Sequence, residues 1–479
     1  PRRRQDSMRP DARPFALPSQ HNSDEPERRT ATLISSNSRE AGPHAAEVIR
    51  QRIVGAVRPG SRASGGSGRP RAGRQRRASA AGSGGEKIDW KRGFMYRHFP
   101  ALTICALLVL AAGCGSSSRL PLARKANTAS EADDAARFLA GLPGRGVSPF
   151  KTMEADPAWQ EHVRRLDGLF RDYRNQRLPA MRDFAREELS RRSDLSCPVF
   201  YPFSGADAAT MLAFFPGRKV YVMAALEPPG RVPGVMDLPP EKLGERLLPL
   251  ADTLASLFRR SFFVTREMDR QLRGQITDGV AEPLLIQLAR SGYTVTGHEY
   301  IELDAQGNPV RRHEDVKRAE FGHNRGLRLD LLHPDGRQPA TLYYISLNLD
   351  DAHMRSNPVF ERFVASLGPC CTMLKATSYM LHERRFSRVR SLILARSALI
   401  LQDDTGIPWR YLSAGDWDVQ LYGDYEKPYG KVFEFRQQRD LRAAYDAPGR
   451  HVKPLRFSIG YGAGRVKSNL QVVRRAGRR

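Results

Sequence analysis

Residues 197–230 contain the pattern that most constrains the fold of this chain. Residues 197–203 form an apolar, β-rich run that predicts a strand, followed by a turn of small residues and a helix over 208–215. A second β-rich run at residues 218–226 ends at Glu227. A strand, a helix and a second strand in this order form a βαβ unit, which joins parallel strands through a right-handed crossover. The pattern therefore predicts an α/β fold.

The remaining sequence continues the alternation of helices and strands. Leucines at helical spacing predict helices over residues 240–263 and 280–291. We therefore expect residues 196–479 to form an α/β body with a mostly parallel, Rossmann-like sheet and added antiparallel strands. Apolar residues at helical spacing in residues 151–195 predict a helical N-terminal cap on that body. The expected additions are a hairpin of residues 327–332 and 341–349 and short strands at 417–422, 432–435 and 455–460.

Residues 95–118 have the composition of an export signal. Arg97 and His98 supply a basic start. Residues 102–112 form an apolar core, and small residues then lead to Cys114. A membrane-spanning helix needs about 20 apolar residues, so a core of 11 residues is too short to span a bilayer. The segment instead fits a secretory signal peptide.

The run from Leu110 to Cys114, LAAGC, resembles the lipobox of bacterial lipoproteins. The resemblance implies that residues 95–113 are removed as a signal peptide and that Cys114 is acylated on its thiol and on its new amino group. Two or more acyl chains anchor a protein stably to a bilayer. Gly115 stands where an Asp would mark inner-membrane retention, so we expect a cell-envelope protein anchored in the outer membrane and facing the periplasm. The alternative is a buried apolar helix that happens to end near a cysteine.

Residues 1–94, which precede the signal, are rich in Arg, Ser, Gly and Pro. Such a composition offers too little apolar surface to offset the entropy cost of ordering. Because an export signal acts at an N-terminus, we expect a disordered prefix that is not translated, with Met95 as the first residue. Residues 114–150 are small and polar, with one short helix expected over 130–140, and predict a flexible tether.

The net charge is distributed unevenly between the residues before the export signal and the rest of the chain. The whole chain has 77 basic and 52 acidic residues, a net charge of +25. Residues 1–94 contain 20 basic and 9 acidic residues, so they account for +11 and leave +14 for the longer remainder. A basic surface favours contact with anionic lipid or polysaccharide. The sequence has no zinc-finger spacing and no RNA-binding aromatic motif, so we expect no nucleic-acid partner.

The turn after the first predicted strand is a candidate ligand site, because ligands in open α/β sheets bind at the carboxyl ends of strands. Ser204, Gly205 and Asp207 lie in this turn, and Glu227 ends the next strand. The strand, glycine turn, helix and terminal acid resemble the cofactor-binding half of Rossmann-like methyltransferases, over residues 197–230 only. The resemblance implies that Glu227 bonds ribose hydroxyls. The repeated glycines of that family are missing, however, and an exported protein meets little S-adenosylmethionine or NAD.

Two acid pairs follow other predicted strands. Asp350 and Asp351 follow the run YYISLNL, and Asp403 and Asp404 follow ALILQ. Together with Asp207, these acids could supply acid and base catalysis, or bind a divalent cation, in an envelope hydrolase. The alternative is that the aspartates cap turns and helices. The histidines show no metal-ligand spacing, so no metal site is predicted from them.

The mature chain contains three cysteines besides Cys114. Cys197 could form a disulfide with Cys370 or with Cys371 in an oxidising envelope. The alternative is that all three are buried thiols.

Three further segments, YPFSGAD at 201–207, LEP at 226–228 and QDDTGIP at 402–408, resemble a family of exported bacterial proteins with no assigned reaction. The resemblance implies a shared site but no mechanism. We therefore expect a lipoprotein whose body binds a small-molecule ligand or a protein partner. An envelope hydrolase and a methyltransferase-like enzyme are the alternatives, and the sequence identifies neither a cofactor nor a substrate.

Overall fold

Ten β-strands form one mixed sheet with helices packed on both of its faces. The structure is a computed structural model that describes residues 130–190, 197–260, 279–312, 324–412, 415–428, 431–462 and 468–476. All of these residues belong to one compact unit. The strands are β1 (Val199–Pro202), β2 (Val220–Ala225), β3 (Thr294–Leu303), β4 (Pro309–Arg311), β5 (Arg325–Leu332), β6 (Pro339–Ser346), β7 (Cys370–Leu374), β8 (Ser397–Gln402), β9 (Trp417–Gly423) and β10 (Asn469–Arg475).

The centre of the sheet is parallel and its two edges are antiparallel. Across the sheet the order is β4-β3-β5-β6-β2-β1-β7-β8-β10-β9. The five strands from β6 to β8 pair in parallel. All four residues of β1 and five of the six in β2 are buried, as expected for parallel strands covered on both faces. The sequence shows this burial directly, because both strands are continuous apolar runs.

The predicted α/β class is confirmed, but the prediction that the sheet as a whole is mostly parallel and Rossmann-like is wrong. Five of the nine strand pairings are antiparallel. β3, β4 and β5 extend one edge as a meander onto β6, and β10 inserts antiparallel between β8 and β9. Added antiparallel strands were expected, but they make up half of the sheet.

Nine of the ten described helices divide between two apolar cores, one on each face of the sheet, and α10 packs in a third, smaller cluster. Helices α1 to α6 contribute to the larger core, and α7 to α9 contribute to the smaller core on the opposite face. Adjacent residues of β1 alternate between the cores, with Tyr201 in the larger and Phe200 in the smaller. The helices are α1 (Glu131–Leu139), α2 (Pro157–Gln176), α3 (Leu178–Glu188), α4 (Ala208–Phe214), α5 (Leu243–Arg260), α6 (Ala281–Arg290), α7 (Asp351–Ser356), α8 (Val359–Ser366), α9 (Ser387–Arg396) and α10 (Arg439–Asp446).

The N-terminal helices share the larger core with the sheet. α1 begins after Ser130, whose hydroxyl oxygen accepts a hydrogen bond from the Asp133 amide at 3.2 Å, as N-cap serines do. Phe138 of α1 is 1% exposed, and its carbonyl accepts the indole N–H of Trp159 in α2 at 3.0 Å. The described part of the packed body therefore includes residues 130–150, a stretch in which one short helix was expected.

Two of the C-terminal strands expected from the sequence take other conformations. Residues 432–435 lie in a 3₁₀ turn (Lys431–Arg436), and residues 455–460 form no strand. The expected prefix at 1–94, signal peptide at 95–113 and lipidation site at Cys114 lie outside the described residues. Within the described ranges, no helix combines the length and apolar character that crossing a membrane requires.

Candidate functional site

The order of the parallel strands reverses between β1 and β7. From β1 the chain adds β2 and β6 on one side, and it later adds β7 and β8 on the other. Such a switch point leaves a crevice outside the carboxyl ends of the strands, where ligands bind in open α/β sheets. Residues 203–207 follow β1 and residues 375–379 follow β7, so both loops lie at this point.

Both loops contain non-glycine residues in the left-handed backbone region. Phe203 has a φ of 60°, while Ala376, Ser378 and Tyr379 have φ values of 50°, 55° and 55°. Among the described residues, Asn324 is the only other non-glycine residue with positive φ. Each such conformation costs on the order of 1–3 kcal/mol and persists only where the surrounding structure holds it. The side chains beneath the loops must therefore supply that support.

A buried ion pair connects the two loops. The ammonium group of Lys375 donates to the Asp207 carboxylate and, at 3.3 Å, to the hydroxyl of Thr210. The hydroxyl of Tyr201 donates to the same Asp207 oxygen at 3.1 Å. Asp207 is 1% exposed and Lys375 is 3% exposed. Burial lowers the pKa of Lys375, and the adjacent Asp207 carboxylate acts in the opposite direction.

Asp403 and Asp404 hold the loop after β7 from the other side. One Asp403 oxygen accepts the Ala376 amide at 2.9 Å, and the other accepts the Thr405 amide at 3.0 Å. Asp404 accepts the hydroxyl of Tyr379 and, through its second oxygen, the side-chain Nδ2 of Asn469 at 2.9 Å. Burial and then the neighbouring Asp404 raise the pKa of Asp403 to about 7. Burial also raises the pKa of Asp404.

We call Tyr201, Asp207, Lys375, Asp403 and Asp404 the switch-point cluster. Gly460 packs directly against it, because a Cβ at this position would lie 2.2 Å from an Asp403 carboxylate oxygen. The φ of Gly460 is 59°, which also favours glycine. Every member of the cluster is buried. The arrangement thus fixes three strand ends, β1, β7 and β8: Lys375 pairs with Asp207, while neutral hydrogen-bond donors hold Asp403 and Asp404.

The other residues predicted to bind a ligand, in the turn after β1 and after β2, are also buried. The Ser204 hydroxyl donates to the Gly205 carbonyl at 3.0 Å, and the Ser204 amide donates to Ala224 at 3.2 Å. Glu227 is 5% exposed, and its backbone carbonyl accepts the hydroxyl of Tyr344 at 3.0 Å. The turn after β1 is thus occupied by contacts within the protein.

Asp350 and Asp351 act as helix caps. Asp350 is the N-cap of α7 and accepts the His353 amide at 2.8 Å. Asp351 accepts the Arg388 amide at 2.8 Å and the Ser387 hydroxyl, which joins α7 to the start of α9. No hydrogen bond or ion pair between described residues connects these two acids to the switch-point cluster. The structure therefore brings together Asp207 and Asp403 around Lys375, but not the Asp350–Asp351 pair.

The described residues contain no group of three or more His, Cys, Asp or Glu side chains that could hold a metal ion. Cys197, Cys370 and Cys371 are buried thiols. Burial and then the neighbouring Cys197 raise the pKa of Cys370 to about 12.

A cleft of about 560 Å³ lies at the opposite end of the parallel strands. Helices α2, α3 and α4 form one wall. The segment before β2, the residues after α6 and the β5–β6 turn form the other. We call it the arginine cleft, because Arg174, Arg182, Arg186 and Arg290 line it together with only two acids, Asp183 and Asp335.

Aromatic rings form the apolar part of the arginine cleft. Phe170, Tyr173 and Tyr293 line it, along with Leu212 of α4. The Tyr173 hydroxyl donates to the Ala209 carbonyl at 3.4 Å, and the Tyr293 hydroxyl lies 3.3 Å from that of Tyr221. Burial raises the pKa of Tyr173 and of Tyr293. The cleft therefore offers neutral rings beside a cluster of cations.

Sequence reasoning missed the arginine cleft, because its walls come from segments that are far apart in the chain. One signal was present: Arg182 and Arg186 are four residues apart on α3 and therefore share a helix face. Comparison of the chain with protein-family models, with curated proteins and with solved structures finds no match in any of the three.

Proposed function

We propose that this chain is a cell-envelope lipoprotein whose α/β body binds a small ligand in the arginine cleft, without catalysis. The observation that carries this proposal is the cleft itself. Its volume of about 560 Å³ falls within the range of roughly 300–1,000 Å³ typical of small-molecule sites. An apolar lining with a few charged groups is likewise typical of such sites.

The use of the strand-end acids favours binding over hydrolysis. Asp350 and Asp351 cap helices, and Asp404 accepts hydrogen bonds from Tyr379 and Asn469. Asp207 and Asp403 are engaged with Lys375 and with backbone amides. Acids with fixed, buried partners support loop geometry, whereas a general base must reach the proton of a substrate. We therefore do not propose a hydrolase.

The lipid anchor in this proposal rests on the lipobox-like run that ends at Cys114. The test is Cys114→Ala, or globomycin treatment, followed by electrophoresis and membrane fractionation. We expect the variant to remain as an uncleaved precursor, and the wild type to fractionate with the outer membrane. Cys105→Ala, within the same signal, is the matched control and should behave as wild type. A Cys114→Ala chain with unchanged mobility and location would contradict the anchor.

The cleft is tested with the neutral fluorescent dye N-phenyl-1-naphthylamine and a variant that fills the cleft. Ser291 lines the cleft at the end of α6, so Ser291→Trp introduces an indole there. We expect saturable dye binding to the wild type and at least about tenfold weaker binding to this variant. Ser366→Trp is the control, because Ser366 is an exposed residue at the end of α8. No saturable binding, or equal binding by wild type and Ser291→Trp, would contradict the proposal.

A methyltransferase-like enzyme is the second candidate, and one observation favours it. Numbered along the chain, the five central strands have the order 3-2-1-4-5, which matches the first five strands of the doubly wound dinucleotide-binding fold. Glu227, after the second of these strands, would bond the ribose of S-adenosylmethionine. Calorimetry with S-adenosylmethionine tests this candidate. Binding that Glu227→Gln weakens would support it, and no heat of binding would exclude it.

A further inference from the structure

The charges around the arginine cleft are only partly neutralised within the protein. Four arginines and two aspartates line it, which leaves a net charge of +2. Arg186 bonds Asp183 at 2.6 Å. Arg290 bonds Asp167, outside the cleft, and its Nη2 has no acceptor among the described residues although the side chain is only 4% exposed. One of the two lining acids is thus already engaged by a lining arginine.

Asp335, the second acid, is held by the β5–β6 turn. One of its oxygens accepts the backbone amides of Arg337 and Gln338 at 2.9 and 3.2 Å. These bonds lower the pKa of Asp335. Its charge is therefore directed to backbone donors of its own turn, and it forms no ion pair with any arginine that lines the cleft.

Arg182 and Arg174 are the cations that remain available. Both are exposed, and neither has an acidic partner in the described part of the chain. Arg174 donates through Nε to the Phe170 carbonyl at 3.2 Å, which leaves its terminal nitrogens unused by that contact. A guanidinium group presents a planar fork of donors that matches a phosphate, sulfonate or carboxylate group.

We propose that the arginine cleft selects an organic anion, with its oxyanion group held by Arg182 and Arg174 and its apolar or aromatic body against Tyr173 and Tyr293. This inference rests on the proposed ligand-binding function and names the ligand class. The two tyrosine hydroxyls lie against partners inside the protein, so their rings offer apolar contact and the arginines provide the selection for charge.

Two dyes with the same aromatic body test the charge requirement. 8-Anilinonaphthalene-1-sulfonate differs from N-phenyl-1-naphthylamine by one sulfonate group. We expect the wild type to bind the sulfonate dye about tenfold more tightly than the neutral dye, and Arg182→Gln to weaken binding of the sulfonate dye more than that of the neutral dye, so that most of this difference is lost. Arg171→Gln is the control, because Arg171 is exposed on α2 but does not line the cleft.

The outcomes separate this inference from the proposed function. If both dyes bind equally, Ser291→Trp weakens both and Arg182→Gln changes neither, the cleft binds ligands but does not select anions. If neither dye binds saturably, the proposed function itself fails. Displacement of the sulfonate dye by 1-naphthyl phosphate alone assigns the site to soluble organic anions, and displacement by dihexanoyl phosphatidylglycerol alone assigns it to anionic lipid headgroups. Displacement by both supports the shared oxyanion chemistry, whereas displacement by neither contradicts the inference.

Discussion

Single residues of the switch-point cluster hold the loops after β1 and β7 through charges that have no access to water. Lys375 satisfies Asp207, and Asp403 accepts the amide that follows Lys375 in the chain. Each group would be costly to bury alone, because desolvation of an unpaired ion exceeds several kcal/mol. The cluster therefore makes the left-handed residues of the loops depend on a few specific side chains.

Replacing Lys375 should destabilise the protein strongly. Lys375→Met leaves Asp207 as an uncompensated buried charge, so we expect the free energy of unfolding to fall by about 3–5 kcal/mol. Adding Asp207→Asn should restore much of this loss, since it removes the carboxylate that Lys375 compensates. Urea unfolding measures both variants. Lys219→Met at an exposed position is the control, and a Lys375→Met cost no larger than that of the control would contradict the prediction.

The raised pKa of Asp403 predicts a pH dependence of stability. An unfolded Asp titrates near pH 4, whereas the pKa of Asp403 in the folded protein is about 7. Between these values the folded state binds the proton more tightly, so this residue makes the free energy of unfolding fall as the pH rises through that window. Asp403→Asn removes this effect.

We therefore expect the stability of Asp403→Asn, relative to wild type, to be greater at pH 8 than at pH 5 by on the order of 2 kcal/mol. Chemical unfolding at the two pH values provides the measurement. Buried histidines affect both proteins alike and cancel in the comparison. Asp418→Asn, at an exposed strand position, should show no such change with pH. If the stability of Asp403→Asn relative to wild type also shows no change with pH, the raised pKa of Asp403 does not explain the pH dependence.

The sequence was informative about which acids matter locally but not about their partners. Asp207, Asp350 and Asp403 each follow a strand, which the apolar runs reveal. Lys375, however, comes 168 residues after Asp207, and only the pairing of β1 with β7 brings the two together. Whether an aspartate caps a helix or joins a buried cluster depends on that tertiary contact.

At the scale of elements, α6 fixes the turn after β1 through one buried side chain. The Gln287 amide group donates to the carbonyls of Ala206 and Pro283 at 2.6 and 2.8 Å, and its oxygen accepts the Ala209 amide at 2.9 Å. Gln287 is fully buried. The start of α4 is thereby tied to the middle of α6.

Gln287→Met keeps the length of the side chain but removes the acceptor of the Ala209 amide, whereas the Ala206 carbonyl keeps the Ala208 amide as a donor at 3.0 Å. We expect the free energy of unfolding to fall by about 1–3 kcal/mol, the cost of one unsatisfied buried group. The Ala209 amide should also exchange hydrogen faster, as measured by NMR. The exposed Gln306→Met serves as control. Unchanged stability together with unchanged exchange at Ala209 would show that this tie is not needed.

Elements with strong local patterns were predicted well, and those defined by pairing were not. The βαβ unit and the hairpin of β5 and β6 follow from apolar runs and turn residues. β10 was missed, since its burial arises from insertion between β8 and β9. The runs at 432–435 and 455–460 contain apolar residues but find no neighbouring strand, which explains their incorrect prediction.

At the scale of the whole molecule, the N-terminal helices act as one wall of the arginine cleft. The sequence predicted helices there, and α2 and α3 are present as expected. Their function as a wall depends on residues such as Tyr293 and Asp335, more than 100 positions later in the chain. No local pattern could connect these segments, so the cleft required the fold.

The most direct test of the central claim is native mass spectrometry of the protein purified from its own cells, compared with its Ser291→Trp variant. If the arginine cleft binds a natural ligand, the wild type should retain a small molecule that the filled cleft excludes. Ser366→Trp should retain it as the wild type does. Identical bound species in wild type and Ser291→Trp, or none in either, would contradict the claim that this molecule binds its ligand in the arginine cleft.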